Sequence, residues 1–242
     1  MIETTCWLPI AGRSLSLWPM AWIINLETAS TNCSVSIYQG RELRALREDP
    51  SPEYTHGELL HVFMEEALKD AGLQASHLDA VAVSKGPGSY TGLRIGVAAA
   101  KGLCFALDLP LIAVPTLESM AAQLEIESGV LIPMLDARRM EVYAAVYDPN
   151  RSEVAPTRAE IVTEDSFASW AAAGPVHLLG NGAEKCREVL KHPNFRFHTG
   201  IQPSARELGL LAADRYEIGQ VEDLAYFEPF YLKDFIATKK KR

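Results

Sequence analysis

The stretch Ser84–Gly96 (SKGPGSYTGLRIG) contains the residues of this chain that are best placed to do chemistry, with Gly86, Gly88 and Gly92 within seven residues. A glycine-rich loop that leads into a helix N-terminus can bind an anion such as phosphate through its backbone amides. The pattern is not a P-loop, because no Gly-Lys-Ser/Thr follows the glycines and Lys85 lies before them. From spacing alone the sequence favours a tight strand-to-helix connection, with an anion cradle as the alternative.

A second polar stretch, Asn25–Ser30 (NLETAS), follows a predicted strand and carries Glu27 and Thr28. A carboxylate beside small polar residues can hold a metal ion or let backbone amides approach a phosphate. A turn rich in small polar residues explains the stretch equally well. Glu27 and Thr28 are therefore candidate ligand-binding residues with a structural alternative.

The elements that position these residues follow an α/β order. We predict three strands, then a helix with apolar residues at helical spacing, a short buried parallel strand and a second helix ending near Leu107. Three strands followed by helix–strand–helix resemble the ribonuclease-H-like half-domain that is duplicated in actin-like ATPases and sugar kinases. The predicted bounds are Trp22–Glu27, Cys33–Gln39, Glu42–Glu48, Gly57–Ala71, Ala80–Ser84 and Thr91–Leu107.

The second half of the chain repeats this order loosely, beginning with a hairpin of Val130–Asp136 and Glu141–Tyr147. We predict an α/β protein of two such half-domains, each a mixed sheet flanked by helices. The predicted boundary lies near residue 127, with domains over residues 20–127 and 128–235. Whether the last helix (204–219) packs back on the first domain stays open at this point.

Composition limits the possible function classes. The 242 residues, 48% hydrophobic and 22% charged, are typical of a globular chain with room for two small cores. The formal net charge of −8 argues against strong independent binding to RNA or DNA, because an acidic surface repels phosphate backbones. The basic tail, residues 236–242, is predicted to be solvated, although it could touch a nucleic acid held mainly by something else.

The four cysteines are far apart and form no C-x-x-C pair, which argues against a zinc site or a disulfide scaffold and favours a cytoplasmic protein. No apolar stretch reaches the roughly 18 residues that span a bilayer, so we expect no membrane contact. Residues 1–19 have no secretory pattern and are interpreted as an extension. Met20 lies two residues before the first predicted strand, which leaves open that translation starts there.

Three segments, KGPGSYTGLRIG (85–96), PTLESMA (115–121) and LDARRMEVY (135–143), resemble the bacterial TsaB family, also called YeaZ. The likeness extends from about residue 22 to FYLKDF (230–235). The first segment is shared with the catalytic paralogue TsaD, and DARR is the more specific marker. The resemblance implies a part in making threonylcarbamoyladenosine beside the tRNA anticodon.

The resemblance also implies the partners. The chain would form a cytoplasmic heterodimer with a TsaD-like subunit that performs the transfer, and a TsaE-like ATPase would complete the system. It would reach tRNA only through that complex and could form a homodimer alone. No catalytic residue and no cofactor of its own are implied, with ATP or ADP at the partner interface left open.

The histidines depart from the pattern of the catalytic paralogue, which binds its metal through two histidines four residues apart on one helix. His56 and His61 are five apart, so they diverge by about 140° around a helix and cannot both face one ion. We therefore predict no metal site, with His56 at the helix start and His61 on its flank.

The phosphate-binding loops expected of an active actin-like ATPase are reduced to vestiges. Where a second loop needs glycines, the sequence has Asp136 followed by Ala137 and two arginines, which could bind an anion or pair with acids such as Glu141. Gly180 and Gly182 open a later helix and keep weak nucleotide contact possible. Glu27 and Asp136 together could hold a metal across the cleft, as a less favoured alternative.

The second predicted helix also offers a binding surface. Its small residues recur every four positions and form a flat stripe that lets another helix approach closely. Because the helix is apolar almost all round, we predict that one side packs on the sheet and the other contacts a partner, with burial inside the chain as the alternative. The resemblance implies that this helix and the one before it form the dimer interface. The predicted interface residues are Leu59, Val62, Gly92, Gly96, Ala99, Ala100 and Leu103.

Three other functions compete with a non-catalytic binding subunit. A weak ATPase or small-molecule kinase would depend on Glu27, Asp136 and Gly180. A metalloprotease would need the missing histidine pair. A homodimeric scaffold unrelated to tRNA could use the same helix stripe.

Overall fold

The computed structural model describes residues 20–233, which form two lobes, each built on a five-stranded mixed sheet. The extension at residues 1–19 and the basic tail at 236–242 lie outside the described residues. The first sheet has the order β3-β2-β1-β4-β5 and the second the order β10-β9-β6-β7-β8. The strands are β1 (Trp22–Glu27), β2 (Cys33–Gln39), β3 (Glu42–Asp49), β4 (Ala80–Gly86), β5 (Leu111–Pro115), β6 (Val130–Asp136), β7 (Glu141–Tyr147), β8 (Glu153–Ile161), β9 (Val176–Leu179) and β10 (Phe195–His198).

The first lobe follows the predicted order of elements closely. β1, β2 and β3 form an antiparallel meander, while β4 and β5 add parallel strands beside β1. Helices α1 (His56–Asp70) and α2 (Tyr90–Leu107) cover one face of the sheet. Their apolar sides share one core with the strands, in which residues such as Leu60, Val81 and Val97 are almost completely buried.

The second lobe has the same topology. β6, β7 and β8 form an antiparallel meander, and β9 and β10 are parallel to β6. Its helices α4 (Ala168–Ala173) and α5 (Asn181–Cys186) are only six residues long. Each lobe therefore has the arrangement βββαβαβ, which confirms the predicted duplication and the α/β class of two ribonuclease-H-like half-domains.

The chain returns to the first lobe after the second sheet is complete. Helix α6 (Ala205–Glu217) packs on the face of the first sheet opposite α1 and α2, where Leu208 and Ala212 are fully buried against Ile23 and Ile112. The residues after about 204 therefore pack in the first lobe, whereas the predicted boundary near residue 127 had assigned them to the second domain. The physical reason is that the first sheet is apolar on both faces, so a second helical layer has to cover it.

Helix α3 (Thr116–Ala121) lies between the lobes. It contacts β4, β5 and α6 on one side and β6 and β7 on the other. The Arg215 guanidinium of α6 forms an ion pair with Glu118 of α3 at 2.7 Å. The connection between lobes is thus a packed interface rather than a bare linker.

Replacing Leu208 by Ala should destabilise the protein by about 2–5 kcal/mol, because the side chain is fully buried under the first sheet and its loss leaves a cavity. Chemical denaturation of the full chain measures the change. Ile218, just beyond the end of α6, is 76% exposed, and Ile218→Ala serves as the control with almost no expected effect. Similar small losses for both variants would show that α6 does not contribute to the first core.

Candidate functional site

The glycine-rich loop faces the second lobe on the side where an actin-like protein would bind a nucleotide. A cavity of about 40 Å³ separates the glycine-rich loop from the second lobe. Ligand pockets typically enclose roughly 300–1,000 Å³, so this cavity is far smaller than a typical ligand pocket. Its walls are Pro87, Gly88 and Tyr90 of the first lobe, Tyr143 of the second, and Phe230, Tyr231, Leu232 and Lys233 of the C-terminal segment.

The glycines of the loop let it pack directly on the turn that follows β1. A Cβ atom added to Gly88 would lie 2.4 Å from the carbonyl oxygen of Ala29, and one added to Gly92 would lie 2.1 Å from that of Thr28. The amide of Ser89 donates to the Ala29 carbonyl at 2.6 Å. The favoured prediction of a tight strand-to-helix connection is confirmed.

The C-terminal segment covers the other side of this loop. The amide of Phe230 donates to the carbonyl of Lys85 at 2.7 Å. Gly86 has φ +104°, and a Cβ atom there would lie 2.9 Å from the Phe230 carbonyl oxygen. Tyr231 packs against Tyr90 with ring centroids 4.9 Å apart. The loop is therefore enclosed by its own chain on two sides.

The prediction that the small-residue stripe on α2 contacts a partner is wrong for three of its residues. Gly92, Gly96 and Ala100 face the interior and are buried, and a Cβ atom on Gly96 would lie 2.2 Å from the Thr28 hydroxyl oxygen. The small residues allow close approach, as predicted, but it is the chain's own turn that approaches. A helix that is apolar all round gives no sign in its sequence of which side faces inward.

The outward side of α2 is shifted by about half a turn from that stripe. Ala98 and Gly102 are exposed, and Phe105 is 84% exposed. These residues share one face because they are separated by four and three positions. These residues were not predicted from the sequence. The spacing could have revealed them, because Arg94, a charged residue of the same helix, lies four positions before Ala98 on the same face.

The remaining predicted interface residues lie on or near this outer surface. Val62 of α1 is 45% exposed, while Leu59, Ala99 and Leu103 are partly buried and pack against the first core. Helices α1 and α2 contact each other. An open groove of about 480 Å³ lies along the first turns of α2, lined by Tyr90, Thr91, Arg94, Ile95 and Ala98.

Glu27 is completely buried beneath the glycine-rich loop. Its Oε1 accepts a hydrogen bond from the Ala29 amide at 2.7 Å, while Oε2 has no hydrogen-bond partner within residues 20–233. Burial raises the pKa of Glu27 to about 7, although the amides of Ala29 and Thr28 and the Ser84 hydroxyl oppose that shift. This carboxyl group is placed inside the first lobe rather than at a ligand-accessible surface.

Asp136 stabilises a turn in the second lobe. Its carboxylate forms an ion pair with Lys185, and its amide donates to Asn181 Oδ1 at 3.0 Å. The Lys185 ammonium also donates to the carbonyl of Arg139 at 2.8 Å and to that of Glu141 at 2.5 Å. Within residues 20–233, no three histidine, cysteine or acidic side chains come together as a possible metal site.

Gly180 and Gly182 allow α5 to pack closely on β6. A Cβ atom on Gly180, which has φ +96°, would lie 2.4 Å from the Met134 carbonyl oxygen. One on Gly182 would lie 2.9 Å from the Met134 carbonyl carbon. Both glycines of the expected nucleotide-side element thus have a packing role that needs no ligand.

The two histidines lie where the sequence predicted. His56 is the first residue of α1 and is 2% exposed, and its Nε2 donates to the Ser30 carbonyl at 2.7 Å. Burial lowers the pKa of His56. His61 is exposed on the helix flank, so the two rings do not converge on one ion.

The chain resembles one family of known proteins in both sequence and fold. Residues 52–241 match the family model of TsaD, tRNA N6-adenosine threonylcarbamoyltransferase. A Haemophilus influenzae relative, "tRNA threonylcarbamoyladenosine biosynthesis protein TsaB", is 35% identical over 90% of this chain and 96% of its own length. The chain belongs to the TsaB (YeaZ) family. The Escherichia coli TsaB protein is 29% identical, over 90% of this chain and 97% of its own.

Solved structures support the family assignment. YeaZ from Pseudomonas aeruginosa superposes with a TM-score of 0.75 at 26% identity, covering 88% of this chain and all of that one. A second Pseudomonas aeruginosa structure, described as similar to peptidase YeaZ, reaches a TM-score of 0.78 at the same identity and coverage. The fold is thus the two-lobed actin-like fold of the TsaB family.

Gly96 and Gly102 provide a matched pair on one helix. Gly96→Ala should destabilise the protein by about 1–3 kcal/mol, because the new methyl group overlaps the buried Thr28 side chain. Gly102→Ala meets no atom within 4 Å and should stabilise α2 by up to about 1 kcal/mol. Thermal and urea unfolding report both changes, and an equal response at the two positions would contradict the assigned orientation of α2.

Glu27 should make stability fall as the pH rises. Its folded pKa of about 7 lies above its ordinary value of 4.5, so the folded state holds the proton more tightly. The stabilisation is present below pH 4.5 and is lost progressively up to about pH 7, with a total on the order of 3 kcal/mol. Comparing urea unfolding of the wild type and Glu27→Gln between pH 5 and 8 isolates this contribution.

The Glu27→Gln variant stays neutral and should lack this part of the pH dependence. Its free energy of unfolding should approach or exceed that of the wild type at pH 8. Glu58→Gln, in the exposed first turn of α1, is the control and should leave the wild-type profile unchanged. Parallel profiles for wild type and Glu27→Gln would show that Glu27 is ionised throughout.

Proposed function

We propose that this chain is the non-catalytic partner subunit in the synthesis of threonylcarbamoyladenosine in tRNA. Membership of the TsaB family supports a role in that biosynthesis, since the curated relatives are named for it. The finer assignment is that the chain binds and activates a TsaD-like subunit, which performs the transfer. The match of residues 52–241 to the TsaD family model supports a structural kinship between the two subunits.

The observation that carries this proposal is how the motif residues are used. Gly88 of the loop and Gly92 and Gly96 of α2 accommodate the turn after β1, and the two glycines at the start of α5 accommodate β6. Asp136 is paired with Lys185, and Glu27 is buried without access to the cleft. The groups that would hold a nucleotide and its metal in an enzyme of this fold have structural roles here, which favours binding over catalysis.

The outer surface of α1 and α2 is the part of the molecule best suited to a protein partner. Phe105 and Val62 expose apolar side chains, and Ala98 and Gly102 keep the helix surface low enough for a second helix to approach. Contact through this surface would bury the same helices that line the first core.

The acidic character of the chain supports indirect contact with the RNA. A net charge of −8 disfavours capture of tRNA by this subunit alone, so the catalytic subunit would supply most of the affinity. A TsaE-like ATPase would act on the assembled pair, and the chain could self-associate when the partner is absent. We propose a cytoplasmic location for the complex. Within residues 20–233, no helix has the length and apolar character to cross a membrane.

Charged substitutions on the outer helix surface test the proposal. Val62→Glu and Phe105→Glu should each weaken binding to the TsaD-like subunit by about 30-fold or more, because a desolvated, unpaired charge costs on the order of 2–5 kcal/mol. Gel filtration and calorimetry of the mixed subunits measure the loss. Both side chains are exposed, so circular dichroism should stay unchanged.

Ile161→Glu is the matched control, since Ile161 is 72% exposed on the edge strand of the second lobe. It should leave the complex intact. Reconstituted tRNA modification should require both subunits and fail with either helix variant. Measurable threonylcarbamoyl transfer or ATP hydrolysis by the pure chain alone would overturn the non-catalytic assignment. Self-association without binding to the TsaD-like subunit would favour the homodimeric scaffold instead.

A further inference from the structure

The turn between β6 and β7 has an unusual backbone. It is closed by a hydrogen bond from the Ala137 amide to the Glu141 carbonyl at 3.0 Å. Arg138 and Arg139 have φ values of 70° and 53°, in the left-handed region. That region costs a residue with a side chain about 1 kcal/mol or more, whereas glycine adopts it freely. The turn therefore carries two arginines where glycines would be more stable.

The acids beside this turn are already neutralised by lysines. Asp136 forms its ion pair with Lys185, and Glu141 forms one with Lys233. The sequence had suggested that the arginines could pair with Glu141. Among residues 20–233, however, neither guanidinium has a carboxylate partner, and both arginines are exposed.

The turn leads into β7, whose Tyr143 lines the small cavity. Burial raises the pKa of Tyr143, and the positive charges of Lys233 and Arg138 oppose that shift, which places both cations near the phenol group. The Lys233 ammonium lies 5.9 Å from the centroid of the Tyr143 ring.

More positive charge follows in the sequence. The described part of the chain ends at Lys233, and the run Lys239–Arg242 begins six residues later. That run adds four cations close in sequence to Lys233, in a chain whose net charge is −8. Two exposed arginines on adjacent residues, neither paired with a carboxylate, fit the repeated phosphates of an extended polyanion better than a single carboxylate.

We propose that Arg138 and Arg139 form a binding site for the phosphates of an RNA backbone. The planar guanidinium group donates two parallel hydrogen bonds to a phosphate, and the exposed turn presents both groups without a competing acid. Identifying that RNA as tRNA rests on the proposed function. The contact is a local one that adds to the affinity of the assembled complex and positions the RNA relative to the second lobe.

The test is binding of a fluorescein-labelled tRNA transcript to the full chain, measured by anisotropy from 50 to 200 mM salt. Arg138→Gln/Arg139→Gln should weaken binding about tenfold at 50 mM and reduce the slope of log K against log salt by about 1.4–1.8, for two lost phosphate contacts. Folding should be unaffected, because neither side chain has a partner to lose. The Gly variants at both positions remove the backbone strain and should bind as weakly as the Gln variants.

The matched control is Arg151→Gln/Arg158→Gln, which removes the same charge from the same lobe. These side chains are 40% and 50% exposed, and they pair with Glu125 and Glu160. The control should change the affinity less than twofold. An equal loss in the control, or no measurable binding by the wild type at 50 mM salt, would contradict the proposal.

Two further arms separate this proposal from its alternatives. Micromolar ADP binding that disappears in the Arg138/Arg139 variant would assign the site to a nucleotide and overturn the RNA assignment. Loss of pairing with the TsaD-like subunit, with RNA binding intact, would show that the arginines contact protein. Failure of the wild-type chain to pair with that subunit would refute the proposed function alone, since the RNA measurement uses the isolated chain.

Discussion

The contact between the turn after β1 and the start of α2 is the constraint on which the first lobe depends. Gly88 and Gly92 allow the backbone of Ala29 and Thr28 to approach the loop and helix within distances that no Cβ atom would permit, and Gly96 does the same for the Thr28 side chain. This approach fixes the direction of α2, buries Glu27 beneath the loop and sets which side of α2 remains outside. The glycines of this motif therefore have a packing role.

The second lobe repeats the topology of the first but uses its corresponding turn differently. In the first lobe the turn after β1 is covered by the glycine-rich loop. In the second lobe the turn after β6 is exposed, and the Lys185 ammonium stabilises it by donating hydrogen bonds to three oxygen atoms. The same fold unit thus provides one closed turn and one open turn across the cleft. The open turn carries the unpaired arginines.

The C-terminal segment joins these features physically. It leaves α6, lies along the first lobe through Phe227 and Phe230, and reaches the second lobe at Lys233. Lys101 of α2 donates to the carbonyls of Ala225 and Phe227. One stretch of chain therefore connects the outer helix surface, the loop and the small cavity. A partner on α2 would lie next to the segment that lines this cavity.

The sequence by itself determined strands β1 to β4 and helices α1 and α2 of the first lobe, the opening hairpin of the second and the family. Alternating apolar residues, glycine turns and the DARR and SYTGLRIG segments are local signals that survive without tertiary context. Only the tertiary structure decided which side of α2 faces outward, that α6 belongs to the first core, and that Asp136 and Glu141 pair with lysines. Each of these depends on which distant segment packs against an apolar face or pairs with a carboxylate. Contacts between residues far apart in the chain leave no periodic pattern in the sequence.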